Sequence, residues 1–124
     1  MAKITANFSL EEFKCKDGTD VPNNLLPNVL ELANNLQVLR DYIGKPIVIN
    51  SAYRTSLYNK KIGGANNSQH LVAKAGDLKV AGMTPKELAD AIELPIKSGK
   101  MKEGGIGVYK TFTHYDIRGV KARW

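Results

Sequence analysis

Cysteine is almost missing from this chain of 124 residues, since Cys15 is the only one. A single cysteine excludes an internal disulfide and any zinc site built from several cysteines. Long apolar runs are missing too, because no segment approaches the roughly 18 apolar residues of a membrane span. The first residues, Met1 to Thr5, lack the apolar core of a signal peptide. We therefore expect one domain over residues 1–124, made in the cytoplasm and without a membrane span.

The charge is unevenly divided, with 18 basic against 12 acidic residues and a formal net charge of +6. Such an excess fits nucleic acid or another polyanion. However, the lysines are scattered, and no aromatic residues alternate with basic ones as in a groove for single strands. We therefore predict a solvated basic surface and no nucleic-acid partner. The same surface would suit an anionic cell-wall polymer.

Helical signals dominate the first part of the chain and strand signals the later part. An apolar stripe over 25–43 predicts a long helix, and the capping box from Thr84 to Glu87 opens another. The segments 47–49 and 77–80 predict strands, and 104–118 predicts a β-hairpin. This order favours an α+β fold, a small single domain with a central, mostly antiparallel sheet flanked by helices.

The chain has two histidines, and each lies near a carboxylate. His70 precedes Asp77 by seven residues, and His114 precedes Asp116 by two. On the last predicted strand, the period of two places His114, Asp116 and Arg118 on one face. Such a row is costly to bury without partners. Two imidazoles and a carboxylate are enough to hold a catalytic zinc ion with one position open for water, so these residues predict a zinc hydrolase.

A family resemblance is carried by six segments, in this order: Ser51-Ala52-Tyr53-Arg54, Gly63-Gly64-Ala65, Ser68-Gln69-His70-Leu71, Ala75-Gly76-Asp77-Leu78, Gly105-Ile106-Gly107-Val108-Tyr109 and His114-Tyr115-Asp116-Ile117-Arg118-Gly119. With them the chain resembles the zinc D-Ala-D-Ala carboxypeptidase family of murein peptidases, in its short phage-associated and bacterial branch. The resemblance implies a small α+β domain that binds one zinc ion. It also implies hydrolysis of a peptide bond in peptidoglycan stem peptides, as a D-Ala-D-Ala carboxypeptidase or as an L-Ala-D-Glu-type endopeptidase.

The resemblance also implies roles for individual residues. The zinc ligands would be three side chains: His70, Asp77 and His114. Arg54 matches an arginine that contacts a carboxylate or carbonyl of the substrate, a role that suits a guanidinium with two parallel donors. Ser68 and Gln69 match positions that line the substrate cleft.

One position departs from the better-known members of the family, which carry a catalytic acid three residues before the third zinc ligand. Here that place is taken by Thr111, which cannot do acid–base work. Asp116 could instead be the general base with His114 as ligand; Asp116 could bind zinc with His114 as proton shuttle; or Asp116 could only orient His114 or Arg54. We predict the first arrangement, because imidazole is the commoner zinc ligand. Arg118 could then pair with Asp116 and hold it ionised.

Two other functional classes compete with a peptidase. The missing acid at Thr111 favours an inert zinc-containing module of the same fold that binds cell wall. A basic nucleic-acid-binding domain would instead show affinity that falls with salt and ignores chelators. We expect a monomeric peptidase that reaches the wall after release or delivery.

Overall fold

The computed structural model describes residues 3–124, which form three α-helices, three short 3-10 helices and one five-stranded sheet. The α-helices are α1 (Leu26–Ile43), α2 (Ser56–Lys61) and α3 (Pro85–Lys97). The strands are β1 (Val48–Ser51), β2 (Ala75–Lys79), β3 (Gly105–Val108), β4 (Thr113–Asp116) and β5 (Ala122–Arg123). The 3-10 helices are Leu10–Phe13, Asn23–Leu25 and Gln69–Val72. The predicted α+β class with a mostly antiparallel sheet is confirmed.

Helix α1 forms where the apolar stripe predicts it, and it buries that stripe. Val29, Leu32 and Leu36 are at most 1% exposed. The helix ends at Gly44, which adopts a left-handed φ of 67° and donates its N–H to the carbonyl of Arg40. A residue with a Cβ would be strained in that conformation, so glycine marks the end of the helix.

Helix α3 begins at the predicted capping box. The Thr84 side chain accepts a hydrogen bond from the N–H of Glu87, whose carboxylate accepts the N–H of Thr84 in return. The helix runs two residues past Pro95, which lies in its last turn. One missing N–H near the end costs little compared with the burial of Leu88 and Ile92, so the proline does not end the helix.

The sheet has the strand order β1-β2-β4-β3-β5. Its first four strands pair antiparallel, and β3 and β4 form the predicted hairpin. Strand β5 pairs parallel to β3 and was missed from the sequence, because two residues are too few to show a period. Helices α1 and α3 pack together on one face of the sheet, where Leu36 reaches Gly76 of β2 and the side chain of Thr113 donates to the carbonyl of Pro85.

The opposite face of the sheet holds a polar row at its centre. Asp77 of β2 lies directly opposite His114 of β4, and His114 lies opposite Gly107 of β3. Alternation along β4 buries Tyr115 against the helices and turns His114 the other way. The sheet topology therefore places two predicted zinc ligands, the Asp77 carboxylate and the His114 imidazole, side by side.

The structure also bears on membrane association. Among residues 3–124, no helix combines the length and the apolar character needed to cross a membrane. The prediction about a signal peptide concerns the N-terminus, where Met1 and Ala2 lie outside the described residues.

Candidate metal centre

Three buried side chains from separate elements converge at the centre of the polar face. His70 Nε2 lies 3.2 Å from Asp77 Oδ1, and His114 Nδ1 lies 3.1 Å from the same oxygen. The three ligand atoms lie within 4.8 Å of one another, and each residue is at most 6% exposed. The structure thus brings together all three residues that the sequence predicts as zinc ligands.

His70 is presented by the 3-10 turn Gln69–Val72. Ser68 caps this turn, because its hydroxyl oxygen accepts the N–H of His70 at 3.2 Å. The other ring nitrogen, Nδ1, lies 2.6 Å from the main-chain carbonyl oxygen of Ala52. Ser68 therefore shapes the turn that carries His70, and it also lines the cleft.

His114 is held from behind by Asp116. His114 Nε2 lies 2.7 Å from Asp116 Oδ2, on the side of the ring away from Asp77. The Asp116 side chain is fully buried and accepts further hydrogen bonds from Arg118 Nε at 2.9 Å and Nη2 at 2.8 Å. The backbone N–H of Gly105 donates to Asp116 Oδ1 at 2.9 Å. Asp116 therefore does not line the cleft, and Arg118 pairs with it as predicted.

Each of the three guanidinium nitrogens of Arg54 donates a hydrogen bond to the protein, and one of these bonds goes to Asp77. Nη2 donates to Asp77 Oδ2 at 3.0 Å, Nε to Ser51 Oγ at 3.1 Å, and Nη1 to Asn59 Oδ1 at 3.1 Å. Asn59 is 4% exposed, and its amide donates to the carbonyl of Ala65 at 2.9 Å. Arg54 lines the cleft, but its described contacts orient a predicted metal ligand.

The electrostatics of the cluster follow from burial and pairing. Burial alone would raise the pKa of Asp77, but hydrogen bonds with His114 and His70 hold it below the ordinary value. Burial likewise opposes ionisation of Asp116, yet His114, Arg118 and the N–H of Gly105 lower its pKa. Burial disfavours the charged form of His114, but its two carboxylate neighbours raise its pKa. The two carboxylates therefore favour the protonated form of His114 when no metal is bound.

The donor set fits a zinc ion. Two imidazole nitrogens and one carboxylate oxygen are the mixed N/O ligands that zinc accepts, whereas magnesium and calcium prefer oxygen. The second ring nitrogen of each histidine has a hydrogen-bond acceptor, Ala52 or Asp116, as metal-binding imidazoles usually do. Arg54 orients Asp77 in the same way. The residues present therefore match a zinc site in its ligands and in the groups that support them.

The metal centre lies in a cleft of about 830 Å³. One wall is the loop around Gly63, Ser68 and Gln69, so the two predicted cleft residues do line it. The other wall is an aromatic cluster that we name the aromatic wall: Tyr109, Phe112 and Trp124. In this wall, Tyr109 and Phe112 stack at 4.6 Å, and the Trp124 indole N–H donates to the Tyr109 hydroxyl at 2.7 Å.

The residues around the site differ in how clearly the sequence predicts their positions. Thr111, the position of the missing acid, is exposed and lines a separate cavity beside Val80 and Met83. Gly105 and Gly107 leave space for Asp116 and for the Trp124 indole, which would lie 2.5 Å from a Cβ at Gly107. Two glycines within a predicted strand signal such close approaches. Asn59 and the carbonyl of Ala52 carry no comparable signal.

Comparison with known proteins places this geometry in a family. A family model described as peptidase M15 matches residues 4–116. The zinc D-Ala-D-Ala carboxypeptidase of Streptomyces albus G is 40% identical over 52 residues, which cover 41% of this chain. The matched region spans 20% of that longer relative. Since the family model matches most of the chain and includes all three converging side chains, the chain belongs to the peptidase M15 family.

Proposed function

We propose that this protein is a zinc metallopeptidase that hydrolyses a peptide bond in the stem peptides of peptidoglycan. The observation that carries this proposal is the convergence of His70 Nε2, Asp77 Oδ1 and His114 Nδ1 at the base of a cleft. Membership of the peptidase M15 family supplies the reaction class. Its relative from Streptomyces albus G is named for zinc and for D-Ala-D-Ala, which supports both the metal and the substrate class.

His70, Asp77 and His114 would hold the ion. Zinc, when bound, supplies a Lewis acid that polarises a peptide carbonyl and makes water more acidic. Arg54 keeps Asp77 oriented and remains at the cleft surface, where N–H groups not committed to protein partners can meet a substrate carbonyl or carboxylate. The loop from Gly63 to Gln69 and the aromatic wall would bind the substrate on either side.

The bond that is cleaved lies either at the end of the stem peptide or within it. D-Ala-D-Ala carboxypeptidase and L-Ala-D-Glu-type endopeptidase activity are both compatible with a cleft of about 830 Å³. The formal net charge of +6 supports binding to an anionic wall. We propose that the protein acts there as a monomer after release or delivery, with no nucleic-acid partner.

The proposal is tested by mass spectrometry of purified peptidoglycan incubated with the zinc-loaded protein. Release of new peptides that a chelator abolishes is expected, and the product masses identify the bond. Asp77→Ala should abolish this release because it removes a ligand, whereas Asp90→Ala changes an exposed carboxylate away from the cleft and should have no effect. Peptidoglycan left intact by protein that holds zinc would overturn the proposed activity.

A second candidate is a catalytically inert zinc-containing module that binds cell wall. The observation in its favour is that Asp77 is the only side-chain carboxylate among the described residues that line the cleft. The position expected to carry a catalytic acid is Thr111, outside this cleft. Sedimentation with intact peptidoglycan separates the two candidates, because the inert module would bind zinc and wall without releasing peptides.

A further inference from the structure

We propose that Asp116 is a positioning residue that selects which ring nitrogen of His114 binds the metal, rather than the proton shuttle of the reaction. This inference rests on the proposed zinc site. The sequence favours Asp116 as the general base. We instead infer that Asp116 orients His114, which is one of the roles that the sequence leaves open.

The neighbours of Asp116 fix where the hydrogens around its carboxylate lie. Its two oxygens face four donors that cannot act as acceptors: the N–H of Gly105 and, from Arg118, the backbone N–H, Nε and Nη2. The carboxylate therefore accepts throughout. Its remaining neighbour, His114 Nε2, must then carry the hydrogen of that 2.7 Å contact. In the neutral ring that a metal requires, the lone pair is left on Nδ1, which faces Asp77.

In His70 the hydrogen is fixed on the other ring nitrogen, Nδ1. This nitrogen lies 2.6 Å from the carbonyl oxygen of Ala52, which can only accept a hydrogen bond. The lone pair of neutral His70 is therefore on Nε2, which faces Asp77 Oδ1 at 3.2 Å. The two histidines thus offer different ring nitrogens to one ion, and each choice is made by the acceptor behind the ring.

The same contacts argue against proton transfer by Asp116. A general base must come within hydrogen-bond reach of the water that it activates. Asp116 is 0% exposed, lies outside the set of residues that line the cleft, and meets His114 at the nitrogen away from Asp77. Its oxygens already accept five hydrogen bonds, so no free acceptor faces the substrate.

Asparagine at this position gives a sharp test. Three donors meet Asp116 Oδ1, whereas His114 and one Arg118 nitrogen meet Oδ2. The amide of Asp116→Asn would keep its oxygen toward the three donors and turn its NH₂ toward His114. His114 Nε2 would then accept, and the hydrogen would move to Nδ1, where the metal must bind. We expect zinc affinity to fall about 10- to 100-fold, as for other residues that support a metal ligand.

The experiment measures zinc affinity by chelator competition and records the ¹⁵N spectrum of the imidazole rings. With two histidines in the chain, both rings can be assigned. Zinc-loaded wild type should show His70 bound through Nε2 and His114 bound through Nδ1, and Asp116→Asn should lose the His114 pattern together with affinity. Asp90→Asn, the same exchange at an exposed carboxylate, should change neither.

The possible results separate the role of Asp116 from the proposed zinc peptidase function. If Asp116→Asn keeps wild-type zinc affinity and the His114 pattern but loses turnover, Asp116 is the base and the inference is overturned. Wild-type protein that takes up no zinc would overturn the proposed function and the inference together. If Asp116→Asn fails to fold by circular dichroism, Arg118→Gln is measured instead. It loosens Asp116 without removing the acceptor, so a smaller fall in zinc affinity is expected, and unchanged affinity contradicts the inference.

Discussion

Replacing Arg54 with alanine should destabilise the protein strongly without zinc and less with it. The Arg54 and Asp77 side chains are 12% and 6% exposed, so their ion pair is largely removed from water. Removing one partner of such a buried pair costs up to about 3–5 kcal/mol. The Asp77 carboxylate would keep only its contacts with His70 and His114. Asn59 loses a charged donor to its buried carbonyl at the same time. A bound zinc ion would compensate Asp77, so part of this loss should disappear in the loaded protein.

The assay is urea unfolding and thermal unfolding of wild type and Arg54→Ala, in chelator and in excess zinc. A loss of this size corresponds to a fall in Tm of roughly 10–20 °C for a chain of this length. Lys86→Ala is the control, because it breaks an ion pair with Asp90 whose side chains are 71% and 63% exposed. Such pairs contribute about 0.5 kcal/mol. A loss below about 1 kcal/mol for Arg54→Ala in chelator, or an equal loss in zinc, would refute the reasoning.

Three further predictions concern the metal and the glycines of β3. Zinc at 100 times its Kd should stabilise the fold by about 2.7 kcal/mol, measured by calorimetry, and unchanged stability would argue against a native-state site. Gly107→Ala should push the Trp124 indole off the strand, since a Cβ would lie 2.5 Å from the ring; the chain has one tryptophan, so an unchanged fluorescence spectrum would contradict this. Gly105→Ala would place its Cβ against the Asp116 carboxylate and should weaken zinc binding, whereas unaltered affinity would show that Asp116 can move without consequence.

The elements that the sequence predicts best are those whose periodicity reflects burial. In α1 and β4 the positions that face the hydrophobic core recur with the period of the helix or the strand. Mostly apolar residues occupy those positions, so the pattern of residue types predicts both elements. The metal ligands were predicted because histidine is rare in this chain and because the resemblance fixes their order. That the three side chains meet in space follows from the pairing of β2 with β4 and from the turn that carries His70.

The supporting contacts could not be predicted in the same way. Asn59 reaches Arg54 because of where α2 packs, and an asparagine in a short helix gives no sign of this. The position of Thr111 was predicted as a missing acid, yet the hairpin turns that residue toward a separate cavity. Such facts depend on how elements pack, which local patterns do not record.

The two histidines use different kinds of acceptor, and the topology explains the difference. His70 lies on a turn, next to the end of β1, where the main-chain carbonyl of Ala52 is available to its ring. His114 lies on β4, which is bonded to β2 on one side and β3 on the other, so the nearby main-chain carbonyls serve the ladders. A ring on a central strand must therefore find its acceptor in a side chain on the same face. Along the same strand, the nearest position on that face is two residues away, which is where Asp116 stands.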